Sequence, residues 1–219
     1  HESPSRRRRR GIDQGIDAVR APQLPARREV ETAQLAHHRK NDLLPSSSGI
    51  VPKVEGRRIT FTLTKPQPLV LEVNGDWVGS LQLFANPPEK NAPRPDDPNV
   101  MYYGPGIHEV DGVRVDSGKT VYIASGAIVR CAPKPGSRTR AAFELTGTNI
   151  TLRGRGILDG SLCPTHARNL IYVTGTNIAL EGVILRDSSH WTVPVRRSED
   201  VSIKNLKLIG YRANSDGID

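Results

Sequence analysis

The chain repeats itself over its second half. Thr148-Asn149-Ile150-Thr151-Leu152 recurs as Thr176-Asn177-Ile178-Ala179-Leu180. A looser copy is Glu199-Asp200-Val201-Ser202-Ile203, and an earlier relative is Lys119-Thr120-Val121-Tyr122-Ile123. Aligning Val121, Ile150, Ile178 and Val201 gives steps of 29, 28 and 23 residues. A second short apolar run follows each copy: Ala127-Ile128-Val129, Gly156-Ile157-Leu158, Val183-Ile184-Leu185 and Leu206-Lys207-Leu208. Apolar residues alternate with polar ones in these runs, the period of strands and not of helices. A unit this short cannot bury its own apolar row and must stack on copies of itself. The expected fold is all-β, with residues 102–219 forming the coils of a right-handed parallel β-helix whose first coil starts at Val121.

The rest of the chain reads differently. Arg58 to Leu63 and Leu69 to Val73 alternate polar and apolar residues. Asn74-Gly75 then signals a tight turn, and a third run from Val78 to Phe84 follows. Residues 49–90 are therefore expected to form a small antiparallel β-domain. Its Trp77 either contacts sugar, is core or packs on the β-helix. Residues 91–101 continue a proline-rich, charged stretch and read as linker. Residues 1–48 read as a disordered basic tail and linker, from their prolines, Ser46-Ser47-Ser48 and five consecutive arginines at 6–10.

Charge argues against a nucleic-acid partner. The net charge is +8, but ten of 31 Lys/Arg and five of 23 Asp/Glu lie in residues 1–40, which accounts for +5 of it. No aromatic residue interleaves with the arginine run, so base stacking has no platform there. No apolar run is long enough for a membrane helix, and no signal-peptide core is visible. His37-His38 lacks spaced companion ligands, and no metal or other cofactor is expected. Cys131 and Cys163 are the only cysteines and read as two buried thiols or as a disulfide between neighbouring coils. His108 reads as structural, and residues 160–169 as a loop at a coil corner.

The chain closes on Asn214-Ser215-Asp216-Gly217-Ile218-Asp219. Coil repeats leading into this motif resemble glycoside hydrolase family 28, the polygalacturonase-like enzymes, whose Asn-Thr-Asp-Gly signature lies on the open face of a β-helix. The match covers about residues 103–219 and has Ser for Thr. Tyr102-Tyr103-Gly104-Pro105-Gly106 resembles the entry segment of the same enzymes. Ser188-Ser189-His190-Trp191 occupies the place of their Ser-x-Trp/Phe stretch, one coil before the motif. His190 and Trp191 precede Asp216 by 26 and 25 residues, about one coil, so both are candidates to lie beside it.

The resemblance implies inverting hydrolysis of glycosidic bonds in a polysaccharide, of the pectin or polygalacturonate type. That chemistry needs two carboxyl groups about 6.5–9.5 Å apart, with water between the base and the anomeric carbon. Asp216 would be the catalytic residue that activates water. Asn214, His190, Trp191 and Asp219 would bind or orient substrate. Trp191 either stacks on a sugar ring or packs into the solenoid. The family's later Asp-Asp pair, Gly-His-Gly and Arg-x-Lys have no counterpart here, so the chain reads as the front part of a longer, monomeric, extracellular or periplasmic cell-wall-degrading enzyme, inactive alone. A non-catalytic carbohydrate-binding β-helix is the alternative, followed by a lyase-like or dextranase-like enzyme.

Overall fold

The structure, a computed structural model, describes residues 28–31, 41–56 and 58–219. The arginine run at 6–10 and His37-His38 lie outside them. The chain divides into two compact units, His1–Pro88 and Glu89–Asp219.

The first unit holds two antiparallel three-stranded sheets. One has the order β1 (Arg28–Glu31), β4 (Arg58–Phe61), β3 (Lys53–Glu55). The other has the order β2 (Asp42–Leu44), β5 (Gln67–Val73), β6 (Asp76–Ala85). Alternation brings Leu43, Ile59, Phe61, Leu69 and Leu71 into one buried cluster. Asn74 and Gly75 take φ of 59° and 72° and form the turn between β5 and β6. Two expectations are corrected here. Ordered structure begins before Gly49, because Leu43 pairs with Leu71 and is buried against it. Trp77 is not a core residue: it is 74% exposed in β6, one residue after Asp76, which pairs with Val73 across the β5–β6 turn.

The second unit is built from parallel strands. These are β7 (Val100–Tyr103), β8 (Gly106–Val110), β9 (Val113–Val115), β10 (Thr120–Ile123), β11 (Ala127–Cys131), β12 (Ala141–Gly154), β13 (Ile157–Asp159), β14 (Asn169–Glu181), β15 (Ile184–Arg186), β16 (Glu199–Lys204) and β17 (Lys207–Ile209). One sheet runs β7-β10-β12-β14-β16, with β9 also pairing β12. A second runs β8-β11-β13-β15-β17. Most successive strands therefore alternate between two parallel sheets, and each pairs with its equivalent one repeat away. The register stacks like on like: Met101, Val121, Leu152, Leu180 and Ile203 form one inward row, and Val129, Leu158, Leu185 and Leu208 another. Each fully buried member of such a row stabilises the unit by roughly 1.5–3 kcal/mol.

The long strands β12 and β14 bend at Gly147 and Gly175. The first half of β12 extends β9 and its second half extends β10. Glycine is required at the bend, since a Cβ on Gly175 would lie 2.0 Å from the Gly147 carbonyl oxygen.

Two details differ from expectation. Repeats begin at Val100, not Val121, so residues 100–101 are strand and not linker; Gly104-Pro105 forms the corner between β7 and β8. Val121 pairs with Leu152, an offset of 31, and not with Ile150. A slip of two keeps the same residues inward, so the alternation cannot distinguish the two registers. Of the two expected states of the cysteines the structure has the first: Cys131 and Cys163 are both buried free thiols, with Cys163 Sγ donating to the Cys131 carbonyl at 3.4 Å. Hydrogen bonding with Cys163, reinforced by burial, pushes the Cys131 thiol well up.

Candidate active site

The last repeat positions the motif through its backbone. Thr192 N–H donates to Asp216 O at 2.7 Å, Val193 N–H to Gly217 O at 2.9 Å, and Asp219 N–H to Val193 O at 3.2 Å. Val193 bridges Ile218 in parallel, an offset of 25, and that register sets Asp216 one strand over from Trp191. In the other direction Val195 bridges Val173 of β14. The motif thus continues the stacking begun by β9, β12 and β14.

The side chains link across the same step. Trp191 Nε1–H donates to Asn214 Oδ1 at 3.0 Å. The Arg196 guanidinium lies over the Trp191 ring, 5.1 Å from its centroid, and is paired with Asp219. Asn214 takes φ +60°, a left-handed conformation that Asn tolerates better than most residues. Ser215 Oγ–H donates to Arg212 O at 2.7 Å and closes the turn that holds Asn214. Asp216 is exposed, and among the described residues its carboxylate has no hydrogen-bond or ion-pair partner. The other nearby acids are neutralised: Asp219 by Arg196, Asp187 by Arg212 and the buried Asp159 by Arg186.

His190 contacts the preceding repeat. Its Nδ1 lies 3.0 Å from Oδ1 of the buried Asn169, 21 residues earlier, and its ring is 5.0 Å from Trp191 and 6.0 Å from His166. The polar bend at 186–190 turns the imidazole toward the preceding repeat. His108 Nε2 lies 2.7 Å from Gly104 O, and Tyr103 packs edge-on to it, a structural placement. Among the described residues no group of three or more His, Cys, Asp or Glu could hold a metal ion.

Sequence reasoning did not single out Arg196, Arg212 or Asn169. Arg196 was within reach: Trp191 to Asn214 and Arg196 to Asp219 share one offset of 23 residues. Arg212 and Asn169 had no such signal.

Further along the same sheet, Arg114, Glu144 and Tyr172 share one row of the register. The residues on either side of Tyr172, Ile171 and Val173, are fully buried, so Tyr172 points outward. Arg140 lies over its ring at 5.3 Å and donates to its hydroxyl at 3.3 Å. Glu144 is buried beneath this cluster, accepting the Arg140 N–H and facing Arg114 at 3.7 Å.

No family model and no curated protein matches the chain. Among solved structures, the chain is similar to one from Parabacteroides merdae ATCC 43184, a protein provisionally assigned as a glycosyl hydrolase. The identity is 17% and the TM-score 0.41, over 53% of this chain and 61% of that one. The chain therefore spans about three-fifths of that protein's length.

Proposed function

We propose that residues 100–219 form coils of a right-handed parallel β-helix and belong to a glycoside hydrolase that cleaves an acidic, pectin-type polysaccharide with inversion. The observation that carries this reading is the state of Asp216. It is an exposed, unpartnered carboxylate on stacked parallel strands, beside an Asn held by the indole of Trp191. A carboxylate in that state can accept a proton from water. Asn214 and Trp191 supply an amide and an aromatic face for a sugar ring. Two arginines stacked on outward aromatics, Arg140 on Tyr172 and Arg196 on Trp191, favour an acidic substrate over a neutral glucan. A stacked guanidinium keeps in-plane N–H donors for a carboxylate.

A second reading, a non-catalytic carbohydrate-binding β-helix, is favoured by one observation: Asp219, Asp187 and Asp159 are each paired with an arginine, and so is no general acid for Asp216. Two measurements separate the readings. The gene sequence past the codon for Asp219 should show an Asp-Asp about one repeat on. A chain that carries this acid pair should release reducing ends from polygalacturonate and not from dextran, and in it Asp216→Asn should lower that rate by about 10²-fold or more. Retained polygalacturonate binding with an absent acid pair and no release would leave the binding reading.

A further inference from the structure

We propose that Arg212 is a positioning residue for the Asn214–Asp216 segment, acting as a three-way clamp that ties the segment to two earlier repeats. The inference rests on the reading of that segment as the reactive one.

The guanidinium of Arg212 reaches three places. Nε lies 3.2 Å from Asp187 Oδ1, 25 residues back. Nη1 donates to Cys163 O at 2.8 Å and Nη2 to Ser161 O at 3.1 Å, 49 and 51 residues back. The backbone carbonyl of Arg212 accepts from Ser215 Oγ, so its side chain anchors the turn while its main chain closes it. Within that turn Asn214 holds its left-handed conformation and accepts the indole N–H of Trp191. A continuous set of contacts therefore runs from the Ser161–Cys163 loop and Asp187, through Arg212, to Asn214 and the strand that carries Asp216.

The clamp is dry. The side chains of Arg212 and Asp187 are 19% and 15% exposed, against 40% and 45% for Arg196 and Asp219. A partly desolvated pair is screened less by solvent and salt than an exposed one. Asp187 Oδ1 is buried and has no aligned hydrogen bond of its own, so the Arg212 charge is what compensates it. Lysine could meet the carboxylate but could not address two carbonyls in the same plane. A packing role alone would need neither the carboxylate nor both carbonyls.

The test uses fluorescence. The chain has two tryptophans, so Trp77→Phe leaves Trp191 as the only reporter. In that background Arg212→Ala is expected to raise acrylamide quenching of Trp191 roughly twofold with an unchanged far-UV spectrum, a local opening. Arg212→Lys should fall between the two, and added guanidinium ion should restore Arg212→Ala toward the parent. Asp187→Asn should move quenching in the same direction as Arg212→Ala. Quenching of Arg212→Ala equal to the parent would overturn the proposal. So would a change that guanidinium does not reverse and that comes with lost β-sheet signal, which marks general destabilisation. Hydrolysis is scored separately: no release from polygalacturonate by a chain that carries the downstream acid pair would sink the hydrolase reading, whereas the quenching series alone decides the clamp.

Discussion

At Asn214 a left-handed backbone, an indole N–H and a closed hydroxyl turn converge on one residue. The exposed Asp216 carboxylate then stands at a defined place relative to Trp191 without being bonded itself. The neighbouring Arg196 serves two partners at once, the Trp191 face and the Asp219 carboxylate. Arg196→Ala is expected to weaken polygalacturonate binding by about 1 kcal/mol, the scale of one exposed cation–π or ion-pair contact. Isothermal titration with oligogalacturonides checks this, and affinity unchanged by the substitution would remove Arg196 from the substrate-facing surface. The buried thiols make a second residue-scale prediction. With Cys131 fully buried and Cys163 4% exposed, a thiol reagent should modify neither in the folded protein and both in urea. Rapid labelling under native conditions would contradict the packing described.

At the scale of the element, two devices hold one repeat on the next. The bends of β12 and β14 stack glycine on glycine. Gly175→Ala drives a Cβ into the Gly147 carbonyl, and the cost is expected to be at least about 3 kcal/mol, at the upper end of overpacking effects, because backbone cannot swing aside. The second device is the pair Asn149 and Asn177, at φ of 57° and 55°, where Asn177 Nδ2–H donates to Asn149 Oδ1 at 2.7 Å. Asn177→Ala loses that bond and puts alanine in the left-handed region, a combined cost of about 1–2 kcal/mol. Urea unfolding of both variants measures the order. Asn177→Ala more damaging than Gly175→Ala would mean that the side-chain ladder, and not the glycine bend, sets the stacking.

At the scale of the whole molecule, the stability of the second unit carries a pH signature. Burial, and then the charge of Arg155, pull Lys207 down to about 8, with Glu181 opposing. An unfolded lysine titrates near 10.4. Between these values the unfolded chain binds a proton at Lys207 that the folded chain does not, so Lys207 contributes a rise in stability with pH from about 8 to about 10, opposed in that window by the buried Cys131 thiol, which keeps its proton in the folded chain. Lys207→Met should make the slope of stability against pH less positive in that window; equal slopes of urea midpoint against pH in the two proteins would rule out the Lys207 contribution. The alternation in 119–209 and the repeated Asn-Ile pairs were enough to determine an all-β chain with parallel stacking, because period-two burial and a repeating unit constrain strands locally. The Asn-Ser-Asp-Gly motif and the preceding Trp191 were equally visible. Other features needed the tertiary structure. Val121 faces Leu152 because a slip of two residues leaves the inward face unchanged, so hydrogen bonding between neighbouring repeats chooses the register. Asp42–Leu44 is a strand because Leu71 lies opposite Leu43, a partner far along the chain. His190 turns to Asn169, and Arg212 reaches Asp187, Ser161 and Cys163, across separations of 21 to 51 residues. Loops of unequal length set those separations, so no periodicity encodes them; they exist only once the strands have stacked.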